Sequence, residues 1–511
     1  MGRRLAFFFA LISVSAGFAV TGSGARAGVA ARSTSHSGGA VILPAVSDWQ
    51  FVSADATPPT QAACNAFGRR CFDPAAIAAS YNYAGLHANG IDGRGKTIAL
   101  VDSFGSSTAA GDLNVFNNAF GLQHLCGEPG VTCTPGMPWF KVLSVQGSPA
   151  PVPPPPSNGT GLEAHNLWAL EVSLDIEWAH ATAPQANILL VTTPTAETLG
   201  VQGFSQFMNA EQYVIDNHLA DVISQSFASG EGAFHNGFAA LQNLRHAFIA
   251  AQANNVTMFG SSGDGGTSNN FKEPVKKPAV ISYPSVEWPA SDPLVTGVGG
   301  TYLCTDATTG TSVDSASPPV QCQSNPGVRE VGWIAAGGGY SIVFPRPSYQ
   351  DTLPPGSSYI GSSVGAPGPN SNMRGVPDIG YQASSRTGVL VYMAESRGSR
   401  ADGTGCGGAD PCSIGWYVVG GTSSGSPQWA GLIALADQMA GRDLGFINPA
   451  LYAIANDPAK YAADFYDVTT GNNQANPDIP GYPATTGWDA VTGLGTPNVA
   501  NLLPDLIAAT Q

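Results

Sequence analysis

The chain has 511 residues and a formal net charge of −15, from 36 acidic and 21 basic side chains. That balance carries no basic footprint for nucleic acid, and a charged fraction of only 11% limits charge build-up in acid. At 43% hydrophobic residues the chain can bury one large core. Past its N-terminus it has no unbroken apolar run of roughly 18 residues, so no membrane anchor is expected.

Residues 1–27 read as a signal peptide. Arg3 and Arg4 precede an apolar stretch from Leu5 to Val20, and Ala25-Arg26-Ala27 offers a cleavage site. The implied location is secreted and extracellular. The eight cysteines form near neighbours, Cys64/Cys71, Cys126/Cys133, Cys304/Cys322 and Cys406/Cys412, which in an exported chain favours four local disulfides. Cys-x-x-Cys spacing is absent, which argues against zinc. Residues 28–71 form an N-terminal lead-in, small-residue-rich and extended from Gly28 to Pro59. Pro74 to Gly85 reads as a helix and Thr97 to Val101 as a buried strand. Gly90 to Thr97 matches the P-loop pattern literally, but a helix-like run precedes it and the strand follows, the reverse of what that loop needs. Asp102 ends the strand, and with no histidine partner in view it is expected to cap the strand structurally. Pro151 to Gly161 reads as a surface insertion. Helices and apolar strands then alternate, which predicts an α/β fold with a mostly parallel central sheet flanked by helices.

Leu167, Leu170, Leu174, Ile176 and Trp178 recur at near-helical spacing, so Ala164 to Ala181 is expected to be a helix. On it Glu171 and Asp175 stand at i and i+4, on one face. Carboxyls pressed together on a half-buried face repel when both ionise, so they share a proton and can serve as a general base in acid. A solvated acidic face is the plain alternative, weakened by the apolar flanks. Glu163 and Glu177 are nearby decoys, and Glu177, two residues past Asp175, points elsewhere on the helix. Further on, a helical run from Leu241 to Asn255 and the strand-like Val256 to Phe259 lead into Gly260-Ser261-Ser262-Gly263-Asp264-Gly265-Gly266. There Asp264 can approach a ligand closely, or simply make a turn.

Next comes the apolar run Trp416 to Val419, then Gly421-Thr422-Ser423-Ser424-Gly425-Ser426-Pro427, then a helix from Gln428 to Met439. A strand that re-enters as a helix lifts Ser423 to the helix N-terminus, where free N–H groups can receive an oxyanion. Gly421 to Gly425 matches the nucleophile elbow of α/β-hydrolases, but those place their histidine after the serine. All eight histidines here lie at or before His246, and none stands in a His-Gly-Thr context. A base other than histidine is therefore expected for Ser423.

Taken together, these motifs resemble the sedolisin family, the serine-carboxyl peptidases. Gly420 to Pro427 is similar to the family's Ser-Gly-Thr-Ser-x-x-x-Pro, with Gly420 in place of the first serine. Glu171 and Asp175 match its Glu-x-x-x-Asp, and Asp264 matches its oxyanion-hole aspartate. Val298 to Thr301, Gly337 to Ser341, Pro345 to Gln350 and Arg374 to Asp378 add to the likeness, which runs from about Phe72 to the C-terminus. The resemblance implies a subtilisin-like domain over 72–511 and a secreted enzyme, most plainly a monomer, that cuts protein or peptide substrates at acidic pH. In it Ser423 is the nucleophile, Glu171 the base, Asp175 its partner, and a protonated Asp264 the donor to the oxyanion. It also implies one Ca²⁺, held by the side chains of Asp467 and Asp489 and the carbonyls of Val468, Thr485 and Gly487, a hard-oxygen set suited to that ion. Two departures stand out. The family's long prodomain has no counterpart between residues 28 and 71, and Phe227 follows Ser226 where relatives often carry Trp. A catalytically silent binding protein on the same fold and a histidine-based subtilisin are the alternatives.

Overall fold

In the computed structural model the described residues are 42–46, 48–144, 162–194, 201–234, 237–272, 278–357, 372–394, 411 and 413–511. The signal peptide, the proline-rich insertion and the Cys406/Cys412 pair lie outside them, and the other three predicted disulfides are formed.

In chain order the strands that matter here are β1 (Leu43–Pro44), β2 (Trp49–Ser53), β3 (Arg70–Phe72), β4 (Thr97–Ser103), β5 (Phe140–Ser144), β6 (Asn187–Thr193), β7 (Val222–Gln225), β8 (Phe227–Gly230), β9 (Thr257–Ser261), β10 (Glu287–Trp288), β11 (Thr296–Leu303), β12 (Glu330–Gly332), β13 (Ile379–Gln382), β14 (Thr387–Met393) and β15 (Gly415–Val419). The helices that position the site are α1 (Leu162–Thr182), α2 (Val201–Asp216), α3 (His246–Ala253) and α4 (Gly425–Ala440). The central sheet has eight strands in the order β12-β11-β9-β7-β4-β6-β5, with β13 also paired to β11. Every pairing in it is parallel except β11 with β12.

Both faces of this sheet are covered, which is why its strands read as apolar runs rather than alternating ones. Ile98 and Leu100 of β4 face a core that holds Leu170, Leu174 and Trp178 of α1 and Leu432 and Leu435 of α4. Ala99 and Val101 face the opposite side, against Phe204 and Phe207 of α2 and Phe248 of α3. Helix α1 is thus sandwiched, and from Trp168 to Thr182 it is buried all round. The half-buried face expected for Glu171 and Asp175 is in fact the interior.

The predicted helix over 241–255 is two shorter ones, Phe238–Leu244 and α3, separated at Arg245. Residues 42–71 are woven into the same body: β2 pairs with β15, and β3 with β14. Gly90 to Lys96 leads into β4 with a helix (Ala84–Ala88) before it, so the P-loop order is absent there. Among the described residues no helix is long and apolar enough to cross a membrane.

Candidate active site

Strand β15 ends at Val419, and the chain turns through Gly421 at a φ of 127°, which a side chain would strain. Thr422–Ser424 form a single 3₁₀ turn that runs straight into α4. The turn is tied down on each side. Ser424 Oγ donates to Gln382 Oε1 at 2.8 Å, and Ser426 Oγ meets Ser224 Oγ at 2.8 Å. Ser423 is fully buried, and its hydroxyl has no protein hydrogen bond.

Helix α1 packs against this turn and presents Glu171 to it. Glu171 is fully buried, and neither carboxylate oxygen has a protein hydrogen bond. Burial lifts its pKa well above the ordinary carboxylate range, the charges of Asp175 and Asp102 add to the rise, and the facing Ser423 hydroxyl opposes it. Asp175, one turn on, accepts a hydrogen bond from Ser226 Oγ at 2.9 Å. It too is raised well above its usual value, by burial and then by Asp102. Glu177 points away from this group, taking the Tyr392 N–H at 3.1 Å.

Asp102 departs from the expected structural cap. Its carboxyl is fully buried and neither oxygen accepts a hydrogen bond, so it caps nothing. The parallel sheet carries the end of β4 over α1, which makes Asp102 the third carboxyl of the cluster, with its pKa raised by burial to about 8. One signal was legible: ligands of open α/β sheets collect at the carboxyl ends of parallel strands, where Asp102 stands.

Asp264 lies in the loop after β9, against the serine turn. Its Oδ1 accepts the Thr422 N–H at 2.8 Å and the Thr422 hydroxyl at 3.0 Å, and Thr422 Oγ1 accepts the Gly263 N–H at 3.0 Å. Its Oδ2 faces the space above Gly421, where an added β-carbon would stand 2.8 Å away. Glu287, which the sequence did not flag, lines the same cleft, and burial and then the Asp264 charge raise it to about 8. The described histidines with side-chain partners are engaged elsewhere: His87 with the Thr182 carbonyl, His124 with Glu128, and His180 with the Gln123 carbonyl.

The expected calcium ligands meet at the far end of the chain. Asp467 takes the Gly487 N–H at 3.1 Å and the Tyr461 hydroxyl at 3.0 Å. Asp489 takes the N–H groups of Thr485, Val491 and Thr492. Both carboxyls are near enough to act on Tyr461, whose pKa burial, then Asp467 and, more weakly, Asp489 raise. Val468 is buried in the same loop, and the Thr485 hydroxyl is buried without a partner. Among the described residues no three His, Cys, Asp or Glu side chains gather as a metal cluster. A cation here would have to draw on backbone carbonyls as well as these two carboxylates.

No family model matches the chain. Kumamolisin from Bacillus sp. (strain MN-32) is 28% identical over 450 residues, which cover 86% of this chain and 64% of that protein. Sedolisin from Pseudomonas sp. (strain 101) is 34% identical over 307 residues, covering 59% of this chain and 43% of sedolisin. The solved structure of Pseudomonas sedolisin, a serine-carboxyl proteinase complexed with two molecules of pseudo-iodotyrostatin, matches with a TM-score of 0.58 at 25% identity, covering 85% of this chain and 98% of that one. The chain therefore spans less than two thirds of the curated relatives' own lengths.

Proposed function

The chain belongs to the sedolisin family of subtilisin-like serine-carboxyl peptidases, and from that premise we propose that it is a secreted enzyme that hydrolyses peptide bonds in acid. The observation that carries the reading is the buried Ser423 hydroxyl facing a buried Glu171, with Asp175 behind it and no described histidine engaged with it.

Ser423 Oγ attacks the substrate carbonyl carbon while Glu171, in the state of the carboxyl cluster that has lost one proton, takes the hydroxyl proton. Asp175, held by Ser226, shares charge with Glu171, and Asp102 adds a third site over which protons of the cluster can spread. The Ser423 N–H and a protonated Asp264 donate to the oxyanion, and the Glu171 proton then passes to the leaving amine. Water hydrolyses the acyl-enzyme by the same steps in reverse. Five carboxyls line or back this cleft, so full ionisation would set them against one another and against the oxyanion. That favours an acidic working range. The three disulfides suit an oxidising, extracellular location.

The C-terminal loop fits one hard cation. Asp467 and Asp489 would hold it with the carbonyls of Val468, Thr485 and Gly487, and its role would be to hold the loop rather than to act in the reaction. The function is tested by peptide hydrolysis across pH, with wild type, Ser423→Ala and Glu171→Gln. Activity confined to acid and lost in both variants supports it. A neutral-to-alkaline optimum favours a histidine-based enzyme instead, and no hydrolysis at any pH favours a silent binding protein.

A further inference from the structure

The serine turn carries a second group that acts on the oxyanion side of the cleft. Thr422, one residue before the nucleophile, is fully buried. Its Oγ1 accepts the Gly263 N–H at 3.0 Å and stands 3.0 Å from Asp264 Oδ1. A buried hydroxyl proton needs an acceptor. Asp264 Oδ1 is the one that the described residues supply, so the Thr422 hydroxyl donates to it. The Thr422 backbone N–H donates to the same oxygen at 2.8 Å. One carboxyl oxygen thus receives two protons from one residue, and both of its lone pairs are in use.

The other carboxyl oxygen faces the oxyanion. A β-carbon added at Gly421 would stand 2.8 Å from Asp264 Oδ2 and 2.0 Å from the Ala45 carbonyl oxygen. That carbonyl accepts the Ser423 backbone N–H at 3.3 Å. The Ser423 N–H and Asp264 Oδ2, the two groups assigned to the oxyanion, therefore border the same small space above Gly421.

We propose that Thr422 is the positioning residue that fixes the Asp264 proton on Oδ2. The proposal rests on the peptidase reading above and names for it a residue that acts through Asp264. The proton of a neutral carboxyl can sit on either oxygen. With Oδ1 engaged twice as an acceptor, the proton goes to Oδ2 and points at the developing negative charge. An acid with its proton on Oδ1 would turn a lone pair toward that charge and repel it. The Gly263 N–H completes the device. It occupies one lone pair of Thr422 Oγ1 and so turns the hydroxyl proton toward Oδ1.

The same hydroxyl bears on the upper pH limit. A donor aimed at a carboxyl favours its ionised form, so Thr422 eases the loss of the proton that it positions. The carboxyls facing Asp264 act the other way. Glu287 on β10 and Glu171 on α1 both sense its charge, and burial leads the rise in pKa at both. A change at Thr422 removes no charge from the cleft. Loss of the hydroxyl should therefore have two effects of opposite sign, a slower reaction and a range that extends further toward neutrality.

The test compares wild type with Thr422→Val, Thr422→Ala and Thr422→Ser, and Asp264→Asn with and without Thr422→Val. Each is read as kcat and KM for a fluorogenic peptide across pH, with a urea melt to check the fold. Thr422→Val should lower kcat at the acidic optimum roughly tenfold, the worth of one hydrogen bond, with KM unchanged. Its upper limb should move to higher pH by up to about one unit. Thr422→Ala should repeat both effects, and it covers the case in which valine crowds the Gly263 N–H and prevents folding. Thr422→Ser keeps the hydroxyl and should recover most of kcat and the wild-type limb. In Asp264→Asn the same hydroxyl orients the amide. There Thr422→Val should again lower kcat but leave the upper limb in place, because asparagine does not titrate. An upper limb unmoved in Thr422→Val and Thr422→Ala overturns the inference, as does a loss of kcat that Thr422→Ser shares in full. Either result, with wild type active in acid, leaves the peptidase reading standing. If wild type cuts no peptide at any pH, both fall.

Discussion

Replacing Asp102 by asparagine should flatten the dependence of stability on pH. Asp102 is fully buried with no hydrogen bond, and burial raises its pKa from 3.8 to about 8. Between those values the folded chain holds a proton that the unfolded chain releases. The folded state thus binds more protons, and stability falls as pH rises. The favourable contribution is complete below the unfolded value and is lost by the folded one. Each pH unit inside the window is worth about 1.4 kcal/mol, so from about pH 4 to about pH 7 this one group costs about 4 kcal/mol at most. Water entry and local relaxation reduce that ceiling, and a difference of about 2 kcal/mol is the working expectation. Asparagine keeps the shape and does not titrate, and its neutrality also relieves Glu171 and Asp175, both of which the Asp102 charge pushes up. The assay is urea denaturation at about pH 4 and about pH 7 in a Ser423→Ala background, which prevents self-digestion. The double variant should lose less stability between the two pH values than Ser423→Ala alone. Parallel losses would refute the placement of Asp102 as a buried, proton-holding member of the cluster.

Ser226→Ala removes the hydrogen bond to Asp175, which should cost about 1–3 kcal/mol of stability and shift the acid limb of kcat/KM, read from denaturant melts and pH-rate profiles. A pH profile identical to wild type would leave Ser226 only a structural part. Asp264→Asn should retain part of the activity and extend it to higher pH, because an amide donates to the oxyanion without ionising; an unmoved upper limb removes Asp264 from that role. Chelation, or Asp467→Ala, should lower Tm, by the equivalent of about 2.7 kcal/mol where free calcium is roughly a hundredfold above its dissociation constant. An unchanged Tm with no calcium by elemental analysis would dismiss the cation.

The parts of the site legible in the sequence are those written in short stretches of chain. The Gly421–Pro427 turn between an apolar strand and a helix placed Ser423, and the i, i+4 spacing put Glu171 and Asp175 on one helix face. Cysteines seven residues apart, Cys64/Cys71 and Cys126/Cys133, could be paired because a short loop leaves few choices. Apolar runs such as Ile98 to Val101 announced a sheet covered on both faces. What the tertiary structure alone decided depends on partners distant in sequence. Asp102 looked like a strand-end cap until the parallel packing of β4 over α1 put it beside two carboxyls, because a buried group's proton affinity is set by neighbours that periodicity does not report. Glu171 and Asp175 were expected half-exposed, and the sandwiching of α1 between sheet and α4 buried them. Ala45 stands in the apolar run Val41 to Val46, which carries no functional motif. Its position in the cleft follows from hydrogen bonds to Ser226 and Ser423, far along the chain, which backbone groups of almost any sequence could make, so only the folded chain could show it.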